Sequence, residues 1–461
     1  MAKITEITQG ERVAQGALIL SELNDLKRTI GSCSKELGWE QAEVEAVVEG
    51  RAEDDTVTRF IDDFTGFYPV RRTSLTLPRT DCTNGVRKLD LEASVASARV
   101  FERPTADGGK SPYYEYRDTA MSVLSDYRPE WIEQLRVVDD NDPNNPDVIY
   151  NNGHFMHQVT FFVGPVNFYY EVDGVRYCEE MTTGGSNYIT PFCPHSFTSR
   201  DASEQAYIVA VTFGNNAKRA LGELVTLGEA RSERYLVDRS SKTAATQDLV
   251  DYHLGNARLT RELLDQRLTA AGATARVGDR KASYSQEQIA EIAAALNIRP
   301  ADLMVVDAPS AERVIVKKTD PAEAYAYPSP SNSAYRIWPL ATTRQLPGVT
   351  FHRISVNSAD SDFRPDFTAG THTYLFNYSE TDCHVVWEYG GEVFRDTLRK
   401  GDSLYIQPQT PHSFHIAESD SGAVAELVCV GVPSAIDQEV QLELSNMGDF
   451  SRVIQESKCW F

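Results

Sequence analysis

The chain repeats itself. EVDGVRYCEEMTTGGSNYITPFCPHSF, from Glu171, and EYGGEVFRDTLRKGDSLYIQPQTPHSF, from Glu388, align without a gap on their shared PHSF. Asp173-Gly174 falls on Gly390-Gly391, Gly184 on Gly401, Tyr188-Ile189 on Tyr405-Ile406, Pro191 on Pro408 and His195 on His412. Asp-Gly and Gly-Gly between β-branched and aromatic runs form two-residue hairpin turns, where positive φ is needed. Each copy therefore reads as strand, tight turn, strand, Gly turn, strand and a Pro-bounded loop into His. Short strands at this spacing predict an antiparallel barrel or sandwich, present twice.

Helical periodicity precedes each copy. Residues 18–64 and 259–303 carry apolar side chains at helical spacing, with Gly38 and Gly50 as stops in the first. The predicted fold class is α+β: a tandem duplication of a helical, helix-turn-helix-like bundle followed by an antiparallel jelly-roll barrel. The division is 1–64 (bundle), 65–235 (barrel), 236–310 (second bundle), 311–450 (second barrel) and 451–461 (tail). Two polar, turn-rich stretches, 230–248 and 309–332, read as linkers.

Charge narrows the partners. The 461 residues carry a net charge of −22, which opposes binding to a phosphate backbone. The first bundle, residues 18–64, has twelve acidic and five basic side chains, so its helix-turn-helix character does not make a DNA reader. A ligand-sensing transcription regulator is the competing class, and that acidic bundle argues against it. Seven scattered cysteines without a CxxC suit free thiols in a reducing compartment. No apolar leader or membrane-length run is present, so a cytoplasmic protein with no nucleic-acid or membrane partner is expected.

The chemistry sits in NNGHFMHQ, residues 151–158. On a strand, His154, Met156 and Gln158 share a face and His157 takes the other. The loop FCPHSF brings His195 from a neighbouring strand. Two imidazoles and one oxygen donor, with other positions open, are the facial set of mononuclear non-haem Fe(II) oxygenases. At the gap-free offset, His154 falls on Thr371 and Gln158 on Leu375. The first copy is therefore expected to hold metal and the second to be a degenerate, metal-free scaffold. Among the remaining histidines, His384, His412 and His415 make a weaker second site, because Phe376 stands four residues beyond His372. Gln158 is neutral, so a bound Fe(II) would keep its full charge and attract an anionic substrate.

HxxxQ with a distant PxxPH, in a duplicated helix-plus-barrel chain, resembles the phosphonate-processing non-haem iron cupin enzymes. This is the family of methylphosphonate synthase and hydroxyethylphosphonate dioxygenase. The resemblance implies metal ligands His154, Gln158 and His195 for Fe(II). It implies phosphonate contacts from Asn151, from Tyr116 in YYEY, and from Lys27, which reaches over from the first bundle. Lys27 and Tyr116 take the catalytic roles. An arginine is also implied; Arg103 is the candidate and Lys110 competes. The implied reaction is Fe(II)- and O₂-dependent C–C cleavage of 2-hydroxyethylphosphonate to methylphosphonate and carbon dioxide. Hydroxymethylphosphonate plus formate is the alternative. The two-histidine, one-glutamine set, with Ile189 where a relative has Glu, favours methylphosphonate. Family members are commonly oligomeric, so a homo-oligomer is expected. The resemblance leaves open whether Lys27 serves its own chain or a neighbour's.

Overall fold

The computed structural model describes residues 7–214, 216–305, 313–346, 348–359, 363–417 and 422–460. Helices Gln9–Asp25, Ile30–Leu37, Gln41–Val48 and Asp54–Phe67 come first. Thr8 starts the first with a reciprocal capping box to Glu11, and Thr29 caps the second. Gly38 ends the second helix in the left-handed conformation, as its position predicts. Ile19, Leu23, Val44, Phe60 and Phe64 fill the core among these helices.

The repeated segments form sheets of matching layout. In the first, seven antiparallel strands run in the order Val314–Lys317, Ser186–Ile189, His157–Val163, Tyr207–Phe213, Tyr127–Gln134, Lys110–Asp118 and Arg99–Pro104. A three-stranded sheet, Val175–Met181, Val166–Val172 and His195–Ser199, faces it. The second seven-stranded sheet runs Val86–Leu89, Ser403–Ile406, Thr371–Asn377, Ala425–Pro433, Thr350–Val356, Asn332–Pro339 and Tyr325–Ser329. Its companion is Glu392–Leu398, Cys383–Tyr389 and His412–His415. The hairpin turns fall where expected: Val172 pairs with Val175 and Tyr389 with Glu392, leaving Asp173-Gly174 and Gly390-Gly391 at positive φ.

Each large sheet takes one edge strand from the other half. Val86–Leu89 pairs with Ser403–Ile406, and Val314–Lys317 pairs with Ser186–Ile189. The outer faces of the large sheets meet in one apolar layer containing Tyr127, Trp131 and Phe161 against Tyr374, Phe376 and Val428. The inner face of the first sheet packs Ile132, Ile189 and Ile208 against Phe168 and Phe197.

Both proposed linkers contain regular structure. Helix Lys242–Ala257, capped by Ser241, begins inside 230–248. Its polar exposed face resembles loop composition, while Ala245, Val250 and Leu254 are buried. Strands Val314–Lys317 and Tyr325–Ser329 lie inside 309–332, and residues 309–312 fall outside the described ones. Among the described residues no helix is long and apolar enough to cross a membrane.

Burial in the second half has a pH consequence. His412 is buried, and burial pushes its pKa from 6.5 down to about 4. Between those values the unfolded chain binds a proton that the folded chain does not. Stability is therefore whole above pH ~6.5 and falls as pH drops toward ~4, by about 3 kcal/mol from this residue alone. Thermal midpoints from pH 7.5 to 4.5 should show a shallower acid slope in His412→Gln than in wild type.

Candidate metal and substrate site

The loop before His157–Val163 and the loop into His195 meet at the inner face of the first sheet. His154 stands on the approach to that strand and not on it; the strand begins at His157. Phe192 N–H donates to the His154 carbonyl at 2.9 Å, joining the two loops. Gly153 lies between them at φ +69°, where an added Cβ would sit 2.5 Å from the Phe192 carbonyl carbon. Gly153→Ala should introduce about 1–3 kcal/mol of strain and displace the ligand loop. A lower thermal midpoint with weaker Fe(II) binding in anaerobic titration is the expected result.

The two imidazoles are held in one tautomer. His154 Nδ1 lies 2.9 Å from the Met156 carbonyl, and His195 Nδ1 lies 2.9 Å from the Cys193 carbonyl. A carbonyl can only accept, so each Nδ1 carries the proton and each Nε2 is bare. Burial pushes the His195 pKa down to about 4, which keeps that ring neutral. Gln158, almost fully buried, donates through Nε2 to Thr160 Oγ1 at 2.9 Å. Its Oε1 then lies 3.1 Å from His154 Nε2. Two acceptors facing each other repel, unless a cation lies between them. Donors at right angles, each about 2.1 Å from one ion, stand about 3 Å apart. The His154 and His195 rings are 5.5 Å apart and nearly perpendicular, at 86°.

Among the described residues no three His, Cys, Asp or Glu side chains converge as a metal-binding group. His154, His195 and the Gln158 oxygen together would fit a single divalent ion with open positions. His157 points away, as expected, and its Nδ1 lies 2.8 Å from the Tyr188 hydroxyl.

Asn151 locks the same corner. Its Oδ1 accepts from the Gly153 and His195 backbone N–H groups at 2.9 and 3.1 Å, and its Nδ2 lies 3.0 Å from His195 Nε2. His154, Gln158, His195 and Asn151 line a cavity of about 260 Å³ together with Arg103 and Tyr116. Six residues from four segments of the sequence thus line one cavity. Among the described residues lining it, Arg103 is present and Lys110 is not. Burial, with the nearby Glu130 charge, raises the Tyr116 hydroxyl to about 12, so it stays a donor. Tyr113 and Tyr114 are structural: both hydroxyls reach Ser196, at 2.8 and 3.2 Å.

Lys27 is not brought to this cavity. It occupies a turn at φ +57°, and its Nζ donates to the Asn24 carbonyl at 3.1 Å. The ammonium also lies 4.4 Å over the Trp460 ring, and Asn24 holds the chain's tail through Lys458 O and Trp460 N at 3.0 and 3.2 Å. Sequence reasoning found no role for this tail. It also missed Glu130 and Thr212 in the cavity wall, while Met156 lines the wall with His154 and Gln158 as their shared face predicts. The signal for Glu130 and Thr212 is strand register, which a single sequence does not display.

Strand pairing corrects the alignment of the copies. Gln158 opposes Ile189, whereas Thr373 opposes Ile406, so Thr373 and not Leu375 takes the place of Gln158. Gln409 N–H donates to Ala369 as Phe192 N–H does to His154, so Ala369 takes the place of His154. The connection after the second ligand strand is two residues longer, which a gap-free alignment cannot see. Neither Ala nor Thr there restores the set, and Phe367 stacks on His412 at 5.6 Å. His384 and His415 instead face hydroxyls, Thr397 and Ser413, at 2.8 and 2.9 Å.

A scan of protein-family models finds no match. Methylphosphonate synthase of Nitrosopumilus maritimus (strain SCM1) is 34% identical over 455 residues, which cover 97% of this chain and 96% of that protein. The structure of Streptomyces albus HEPD, solved with its substrate 2-hydroxyethylphosphonate and Fe(II) bound, matches with a TM-score of 0.87 at 33% identity. That match covers 98% of this chain and 100% of that one. A further 2-hydroxyethylphosphonate dioxygenase shares the fold at a TM-score of 0.76 and 17% identity, covering 96% of this chain and 100% of its own. These likenesses define a non-haem iron oxygenase acting on a phosphonate. Within that class, the chain belongs to the family of methylphosphonate synthase and 2-hydroxyethylphosphonate dioxygenase.

Proposed function

We propose that the chain cleaves the C–C bond of 2-hydroxyethylphosphonate with Fe(II) and O₂, giving methylphosphonate, carbon dioxide and water. The observation that carries this reading is the convergence of His154, Gln158 and His195 with Arg103, Tyr116 and Asn151 around one cavity. His154, Gln158 and His195 hold the iron, which when bound supplies O₂ activation and a point of chelation for the substrate. Arg103 forms no ion pair among the described residues and is free to neutralise a phosphonate. Tyr116 donates its hydroxyl to a phosphonate oxygen. Asn151 has its oxygen tied to two backbone N–H groups, so its amide N–H₂ lies 3.0 Å from His195 Nε2, where a substrate oxygen bound beside that nitrogen would meet it. The substrate supplies all four electrons taken by O₂, so no reducing co-substrate enters.

Gln158 sits directly across from Ile189. This pairing leaves the metal without a carboxylate from either strand and supports methylphosphonate over hydroxymethylphosphonate and formate. We read the architecture as two helical bundles, 1–64 and 236–310, each followed by a cupin barrel, 65–235 and 311–450, with the second barrel metal-free. Within one chain Lys27 does not line the cavity, so the reading includes a homo-oligomer in which a neighbouring copy supplies it. A cytoplasmic setting remains part of the proposal.

³¹P NMR of Fe(II)-loaded protein with 2-hydroxyethylphosphonate and O₂ tests the reading. A methylphosphonate resonance is expected. Hydroxymethylphosphonate would select the alternative branch, and an unchanged substrate signal would overturn both.

A further inference from the structure

Glu130 faces the cavity, and the chemistry above leaves it without a task. Residues directly opposed on paired strands share a sheet face. Gln158 opposes Thr212, Glu130 opposes Ala210 and Asp118, and Tyr116 opposes Ile132. Glu130 therefore stands on the inner face with Tyr116 and Gln158, two strands from the ligand strand, or about 10 Å at normal strand spacing. A small substrate held at the Gln158 end would present its far oxygens to Glu130.

The carboxyl group has no hydrogen bond or ion pair among the described residues. Arg99, whose charge acts on it, is engaged by Asp118 at 2.8 Å. The other charged or titratable groups lining the cavity are Tyr114, Tyr116, Arg103, His154 and His195. Burial raises the carboxyl's pKa; Arg99 opposes the shift and Asp118 adds to it. A bare carboxylate would repel a phosphonate dianion. One proton between the two oxygens turns that repulsion into a charge-assisted hydrogen bond. A phosphate-type group can supply this proton, since its second ionisation lies near pH 6 as an order-of-magnitude value.

We propose that Glu130 and the phosphonate head group share one proton, making this residue a selector for tetrahedral anions that can themselves be protonated. The inference rests on the phosphonate reading and adds a specificity residue to it.

Calorimetric binding to Fe(II)-loaded protein under nitrogen tests it with two probes. One is 2-hydroxyethylphosphonate; the other is 2-hydroxyethanesulfonate, a similar tetrahedral anion that stays unprotonated. Glu130→Gln should lower phosphonate affinity about 10- to 100-fold, whereas sulfonate, which loses a repelling neighbour, should bind as well or better. Unchanged phosphonate binding, or equal losses for both probes, would overturn the inference. Iron content and thermal midpoint establish that the variant is folded; should it not be, Glu130→Asp carries the same comparison, with a smaller loss confined to the phosphonate. Wild-type protein that binds neither probe would remove the phosphonate reading and this inference with it.

Discussion

His195→Ala is expected to weaken Fe(II) binding by more than ~100-fold and to abolish turnover. Removing a group that merely orients a metal ligand already weakens sites about 10- to 100-fold, and His195 is itself one of three donors. The control is built into the repeat. His412 occupies the same loop position, with Nδ1 on the Thr410 carbonyl at 2.9 Å as His195 is on Cys193. His412→Ala should therefore leave iron binding unchanged, although both variants remove a buried imidazole. Iron content after anaerobic loading and desalting, measured beside the thermal midpoint, separates ligand loss from unfolding. Equal iron retention in His195→Ala and wild type would refute the site.

Gln158→Glu should move metal and substrate in opposite directions. The Thr160 hydroxyl, which accepts from Gln158 Nε2, can turn and donate to a carboxylate, so the change fits the space. The added negative charge should tighten Fe(II). It also places a like charge near the phosphonate; at ~5 Å and an effective dielectric of ~20, the repulsion is about 3 kcal/mol. KM for 2-hydroxyethylphosphonate should rise about 100-fold while the apparent iron affinity increases. A product shift toward hydroxymethylphosphonate, read by ³¹P NMR, would show that ligand charge also steers the branch. Unchanged KM would show that Gln158 is not near the bound anion.

Much of the site is legible because its signals are local. HxxxQ and PxxPH are short, and the hairpin turns that set them side by side announce themselves through Asp173-Gly174 and Gly390-Gly391. Arg103 and Tyr116 were reachable only through family likeness. What failed was pairing. A two-residue difference in one connection misplaced the second ligand strand by one strand repeat, since both registers keep the same face inward. Glu130 and Thr212 enter the cavity through strands far apart in sequence, and no local pattern marks them. The docking of Trp460 beside Lys27 joins opposite ends of the chain, and likewise leaves no trace in either segment.

The reciprocal strands bear on how such a duplication persists. Val314–Lys317 closes the open edge of Ser186–Ile189, which in turn supports the strand bearing Gln158. Val86–Leu89 does the same service on the far side. A gene cut between the halves would strip each product of an edge and bare the large apolar layer at their junction. The half with Ala369 and Thr373 at the positions of His154 and Gln158 thus supplies an edge strand and a covering apolar face that the other half does not supply itself.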